Sequence, residues 1–161
     1  MALVAVVVLF GILATWFFGG FFWPRNVERN RPGMLYAGRI DEFEVEEPRF
    51  FQRDERNKFW LVKMPDGSFL ALQAFDTNRG CTLPWRPTFS FTDPRNGVTK
   101  QGWFRSPCGG DTYDIEGVCV AGPCRSDLNR YPVEIVGDWV RVRVGETNLI
   151  RSQTKGGLRL P

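Results

Sequence analysis

The segments DTNRGCTLPW at residues 76–85 and SPCGGDTYDIEG at residues 106–117 decide which fold the sequence predicts. Each carries one cysteine among glycine, proline and other residues typical of tight turns. Short strand-like stretches surround them, and no helical periodicity stands out after residue 23. Short strands separated by such turns predict a mainly β domain, a small antiparallel sandwich or barrel.

Two hairpins are the clearest strand predictions. The first covers residues 59–74 with Pro65-Asp66-Gly67 as its turn, and the second covers residues 131–144 with Gly137-Asp138 as its turn. From residue 139 onward valine alternates with arginine, which predicts one buried and one solvent-facing side. Further short strands are predicted at residues 40–45, 103–104, 113–115 and 117–121.

The composition excludes several classes of function. The 161 residues include no histidine, so a histidine-ligated metal, a histidine general base and an imidazole pH switch are all ruled out. The formal net charge of +3 is too small to support binding to nucleic acid. We therefore expect no nucleic-acid partner.

The N-terminal segment is predicted to be a membrane anchor. Residues 2–23 contain no charged side chain, and as a helix they would span about 33 Å, enough for the hydrocarbon core of a bilayer. Aromatic residues cluster at one end, and Pro24 would end the helix. The alternative is a cleaved signal peptide, which the missing charged n-region, the long apolar run and the missing A-x-A site disfavour.

The domain organisation follows from these boundaries. Residues 1–23 are the predicted transmembrane anchor and residues 24–37 a linker. Residues 38–150 are the predicted β domain, and residues 151–161 are a mildly basic C-terminal tail that would lie on a partner.

The four cysteines contain no C-x-x-C pair, so neither a zinc ribbon nor a thioredoxin-type redox site is supported. An even number favours two disulfides. Cys119 and Cys124 flank a turn, and a bridge between them would close one tight loop. The alternative is four reduced, buried thiols in a cytoplasmic domain. The cysteines by themselves leave both interpretations open.

The two segments resemble the cluster-binding boxes of Rieske iron–sulfur proteins. The first Rieske box reads C-T-H-L-G-C, often followed by T-[VL]-P-W, and it matches Asp76 to Trp85. The second reads C-P-C-H-G-S-x-Y-D-x-x-G with a later G-P, and it matches Ser106 to Gly117 followed by Gly122-Pro123. The resemblance covers about residues 59–144 and implies a Rieske-like antiparallel β domain behind a single transmembrane helix.

The departures from the family are specific. A Rieske [2Fe–2S] centre uses two cysteines on one iron and two histidines on the other. Here Asp76 and Ser106 occupy the cysteine positions, and Asn78 and Gly109 occupy the histidine positions. We therefore expect no cluster, no cofactor and no catalytic or metal-binding residue, with the remaining polar side chains serving loop-tip solvation and local hydrogen bonding.

The resemblance also implies one disulfide pairing and a location. Cys81 and Cys108 stand at the family's non-ligating disulfide positions, and a persistent bridge needs an oxidising compartment, so the β domain is expected on the extracytoplasmic side. Arg25, Arg29 and Arg31 follow the anchor and oppose this orientation under the positive-inside rule. The cysteine pattern is the more specific of the two signals.

The expected function is non-catalytic. The chain is predicted to be a cluster-less Rieske-like subunit with a structural, assembly or docking role in a respiratory or photosynthetic electron-transport complex. Its expected partners are the membrane, other transmembrane subunits and a soluble cytochrome. The alternatives are a binding module for a small ligand or soluble electron carrier, and a thiol-based redox protein. Without histidine or C-x-x-C the thiol-based alternative is the weaker.

Overall fold

A computed structural model describes residues 33–159, which belong to one unit of the chain, Pro32–Pro161. The predicted anchor at residues 1–23 lies outside the described residues. Within residues 33–159, no helix has the length and apolar character needed to cross a bilayer.

The described residues form short strands and two single-turn 3-10 helices, Ile40–Glu42 and Glu146–Asn148. The strands are β1 (Met34–Arg39), β2 (Arg49–Gln52), β3 (Lys58–Lys63), β4 (Phe69–Gln73), β5 (Trp85–Thr92), β6 (Thr99–Arg105), β7 (Thr112–Tyr113), β8 (Cys119–Ala121), β9 (Arg130–Tyr131), β10 (Val133–Val136), β11 (Trp139–Arg143), β12 (Thr154–Lys155) and β13 (Leu158–Arg159).

The strands pair antiparallel in three main sheets. One sheet has the order β1-β11-β10, a second β2-β3-β4-β9, and a third β5-β6-β7-β8. The two predicted hairpins are present as β3–β4 and β10–β11. In the first, Gly67 takes φ +83° and Asp66 accepts hydrogen bonds from Ser68, which is the turn chemistry that the sequence predicts.

The β3–β4 hairpin separates two hydrophobic clusters. Because successive side chains of a strand point to opposite faces, Phe59 and Leu61 of β3 pack into one cluster while Val62 packs into the other. In β4, Ala71 and Leu72 divide in the same way. The first cluster lies against the sheet of β1, β10 and β11. The second lies beneath the loops that carry residues 76–85 and 106–117.

One strand prediction is wrong in position, and another strand was not predicted. Within the range expected as a strand, residues 40–45, Ile40–Glu42 form a 3-10 helix and Val45 makes only an isolated bridge to Lys63; the strand lies earlier, at β1. A bulge between Tyr36 and Gly38, where Gly38 has φ +150°, shifts the register of β1 against β11 and hides its alternation in the sequence. Strand β5 was also missed, because Pro87 interrupts it and most of its side chains are exposed.

The C-terminal segment is more ordered than the predicted tail. Strands β12 and β13 form a hairpin within residues 151–161. The buried carboxylate of Asp127 accepts hydrogen bonds from the Thr154 hydroxyl at 2.6 Å and from the backbone N–H groups of the hairpin turn. It also accepts the N–H of Cys119 at 2.8 Å. The β domain therefore extends beyond residue 150 and includes this hairpin.

Candidate functional site

The first loop, residues 76–84, connects β4 to β5 and is organised by the carboxylate of Asp76. This side chain is buried, with 3% of the residue exposed. Its oxygens accept backbone hydrogen bonds of 2.6 to 3.2 Å from four consecutive residues, Asn78, Arg79, Gly80 and Cys81. The local hydrogen bonding expected from the sequence is present, but the expected solvation is wrong, because the carboxylate turns inward onto the N–H groups of its own loop.

The second loop, residues 106–111, connects β6 to β7 and meets the first loop at Ser106. The Ser106 hydroxyl donates a hydrogen bond of 2.6 Å to Oδ2 of Asp76, and it accepts one from the N–H of Cys108 at 3.2 Å. Ser106 is as buried as Asp76. The two residues at the cysteine-ligand positions of the Rieske boxes are therefore hydrogen-bonded to each other through their side chains.

Two further links hold the same loops together. A disulfide joins Cys81 to Cys108, with 6.4 Å between the Cα atoms. The Arg79 guanidinium donates a hydrogen bond of 3.0 Å to the carbonyl oxygen of Cys108. The loops are thus connected by a covalent bond, a buried hydrogen bond and a charge-assisted one.

A third loop, residues 122–128, closes over the first. A second disulfide joins Cys119 to Cys124 at its beginning, with 6.6 Å between the Cα atoms. The hydroxyl of Thr77 donates to the carbonyl of Ser126 at 2.8 Å. The phenol oxygen of Tyr113 accepts the N–H of Thr77 at 3.2 Å. Thr77 therefore connects the first loop both to the third loop and to β7.

The two histidine-ligand positions also come together. Asn78 is half-buried, and its amide nitrogen lies 3.7 Å from where a Cβ on Gly109 would be. An oxygen of Asp111 lies 3.5 Å from the same point. The space in front of Gly109 thus faces an amide and a carboxyl group. Asp111 was not singled out from the sequence, although it stands where the second Rieske box has serine.

Asp76 and Asp111 have opposite electrostatic environments. Burial by itself raises the pKa of Asp76, but the hydrogen bonds from Ser106 and the loop N–H groups outweigh it and hold that pKa below its usual value. Asp111 is completely buried, and neither of its oxygens has a hydrogen-bond partner among the described residues. Burial and the negative charge of Asp76 raise the pKa of Asp111.

An arginine, Arg95, is hydrogen-bonded to the C-terminal part of the segment at residues 106–117. Arg95, in the turn between β5 and β6, donates hydrogen bonds of 2.7 Å to Asp93 and 2.8 Å to Asp114. Asp114 in turn accepts the N–H of Val118 at 2.8 Å and so fixes the turn that follows β7. The strand predicted at residues 113–115 ends earlier, at Tyr113, and no sequence pattern indicates the distant arginine partner of Asp114.

The residues at the four ligand positions do not fit a Rieske centre. Asp76, Ser106 and Asn78 offer only oxygen and amide groups, and Gly109 offers no side chain, whereas the centre needs two thiolates and two imidazoles. Cys81 and Cys108 are already joined in a disulfide. Within the described part of the chain, no group of three or more histidine, cysteine or acidic side chains is placed to hold a metal ion.

Comparison with known proteins identifies the fold. The structure is similar to the plasma membrane Rieske protein PetC3 from Synechocystis PCC 6803, with a TM-score of 0.50, 20% identity, and coverage of 67% of this chain and 97% of that one. It is also similar to the soluble domain of Rieske protein II from Sulfolobus acidocaldarius, with a TM-score of 0.50, 14% identity, and coverage of 68% and 76%. No protein-family model matches the chain, and no curated protein matches it.

The fold and the loops lead to the same conclusion. The antiparallel sheets, the two facing loops and the Cys81–Cys108 bridge agree with what the resemblance implied. The described domain has a Rieske-type fold.

Proposed function

We propose that this chain is a non-catalytic, cluster-free Rieske-type subunit with a structural, assembly or docking role in a membrane electron-transport complex. The hydrogen bond between Asp76 and Ser106 is the observation that carries the proposal. It joins side chains at the positions from which two thiolates would hold an iron.

The loop energetics support a scaffold that is stable without a metal. The loops around a metal centre contain N–H groups that need acceptors, and here the carboxylate of Asp76 supplies the acceptor for four of them. The disulfide and Arg79 connect the loops independently. The fold thus retains an ordered loop surface whose residues do not fit a Rieske centre, and such a surface suits binding to a partner.

The test of the missing cluster is direct. We expect the full chain, purified in mild detergent, to contain no stoichiometric iron or acid-labile sulfide and to give no Rieske-type EPR signal after reduction. Stoichiometric iron with such a signal would refute the proposal. A matched variant restores the four ligands through D76C, S106C, N78H and G109H. A Cβ at position 109 would make only ordinary van der Waals contacts, so the loop can accept the histidine of G109H. Uptake of iron by this variant is the positive control.

The membrane complex needs a separate experiment. The similarity to a protein described as a plasma membrane Rieske protein supports a membrane location, and the uncharged residues 2–23 support an anchor. We expect purification of the intact chain from its native membrane in mild detergent to recover other transmembrane subunits that carry haem, chlorophyll or flavin. Recovery of the chain alone, or with soluble proteins only, would contradict this part of the proposal.

We also propose that the β domain faces the extracytoplasmic side. Both disulfides support this location, since such bonds persist in oxidising compartments. In intact cells, an impermeant thiol reagent is expected to label the chain only after treatment with an impermeant reductant. Free thiols that become reactive only after lysis would place the domain in the cytoplasm.

A further inference from the structure

Asp111 is a buried acid whose side chain makes no hydrogen bond to the described residues. None of its surface is exposed, and both carboxyl oxygens lack a hydrogen-bond partner within residues 33–159. Buried polar groups are nearly always paired, and an ionised carboxylate without a partner is especially costly. An unpaired acid at this depth therefore requires an explanation.

Gly109 and Gly122 lie close to the carboxyl group of Asp111 on opposite sides. One oxygen faces Gly109, at 3.5 Å from the position of a Cβ on that residue. On the other side, the position of a Cβ on Gly122 lies 2.7 Å from the Cα of Asp111 and 2.9 Å from its other oxygen. The carboxyl group is thus enclosed between the second and third loops.

The neighbouring charges do not neutralise it. Asp76 acts on Asp111 as a like charge, while Arg79 and Lys155 act as opposite charges without a hydrogen bond to it. The Arg79 guanidinium is bonded to the carbonyl of Cys108 instead. The other ionisable neighbour, the buried phenol of Tyr113, is bonded to Thr77.

Asp76 and Asp111 differ in which protonation state their surroundings favour. Hydrogen-bond donors surround Asp76 and stabilise its ionised form, whereas the side chain of Asp111 has no donor among the residues that the structure describes. When two nearby carboxyl groups occupy such different environments, one remains charged and the other takes the proton.

We propose that Asp111 is a proton-binding site at the place where a Rieske protein carries its cluster, holding one proton in the folded domain and releasing it when the second and third loops separate. The burial of Asp111 favours the neutral acid, and ionisation would leave a charge against Gly122 that only access to water can stabilise.

Infrared spectroscopy of the full chain in mild detergent, with isotopically labelled aspartate, tests this directly. At neutral pH we expect the band of one protonated aspartic acid, retained in D76N and absent in D111N. A spectrum in which every aspartate is ionised would overturn the proposal. The measurement on the unsubstituted chain decides the matter even if a variant fails to fold.

Stability gives an independent readout. The contribution of Asp111 to the urea midpoint of the unsubstituted chain is expected to fall as pH rises from the unfolded pKa of aspartate to the raised pKa of the folded residue, because over that range the unfolded chain releases a proton that the folded domain keeps. In D111N this fall is expected to be lost, while in D76N it remains. Identical profiles for the unsubstituted chain and D111N would overturn the proposal. Stabilisation of the unsubstituted chain but not D111N by added Ca²⁺ would also do so, since Asp111 would then bind a metal as the anion.

Discussion

Replacing Asp76 with alanine is the sharpest test of how the loops are held. The substitution removes the acceptor of five hydrogen bonds, from four backbone N–H groups and the Ser106 hydroxyl. The Ser106 hydroxyl is buried, so leaving it without its acceptor costs about 1–3 kcal/mol. Arg79 and Gly80 are exposed and their N–H groups rehydrate, so they contribute little.

The total follows from these contributions. Adding the half-buried N–H groups of Asn78 and Cys81 at about 1 kcal/mol each brings the expected loss to about 3–5 kcal/mol. A domain of this kind has about 5–15 kcal/mol of stability, so the change is a large fraction of the whole. Equilibrium urea unfolding of the full chain, with its disulfides intact and tryptophan fluorescence as the signal, measures it.

The matched control is Asp41, whose side chain is 70% exposed and accepts a hydrogen bond from Arg39. The D41A variant is expected to lose less than about 0.5 kcal/mol, as surface substitutions usually do. If D76A lost no more than D41A, the carboxylate would not be holding the loops, and the reasoning from its hydrogen bonds would be refuted.

Three further predictions follow from neighbouring features. Relative to D76N, the Asp76 carboxylate is expected to stabilise the domain by its full amount above the unfolded pKa of aspartate. This stabilisation is expected to disappear as pH falls through the lowered folded pKa of Asp76, and urea unfolding between about pH 5 and 2 measures the change. G122A is expected to lower the thermal midpoint more than G80A, because both positions have positive φ but only the Cβ at Gly122 collides with Asp111; equal shifts would contradict this. D127A is expected to speed amide hydrogen exchange across β12 and β13 with little change in β3, whereas unchanged exchange in the hairpin would show that other contacts hold it.

The fold could be predicted because its signals lie close together in sequence. Turns rich in glycine and proline predict the mainly β class, and the resemblance of the two segments to the Rieske boxes implies that Cys81 and Cys108 join the loops. Strand β1 was missed because a bulge at Gly38 breaks its alternation, and β12 was missed because a two-residue strand has no periodicity to read.

The candidate site was only partly predictable. The positions of Asp76 and Ser106 were known from the motif, but the bond between them joins residues 30 apart in sequence and depends on how the loops pack. Solvation of Asp76 was expected, since aspartate in a loop is usually exposed. The burial of Asp111 was equally invisible, because it results from a close approach of Gly122 that no local pattern encodes.

The position of the β3–β4 hairpin has a consequence for how the domain comes apart. Its residues Phe59 and Leu61 belong to one hydrophobic cluster and Val62 to the other, so neither cluster can lose its packing without exposing part of the other. The two halves of the domain should therefore melt in a single cooperative transition. Damage to the first or the second loop should then lower the global stability of the domain rather than cause local fraying.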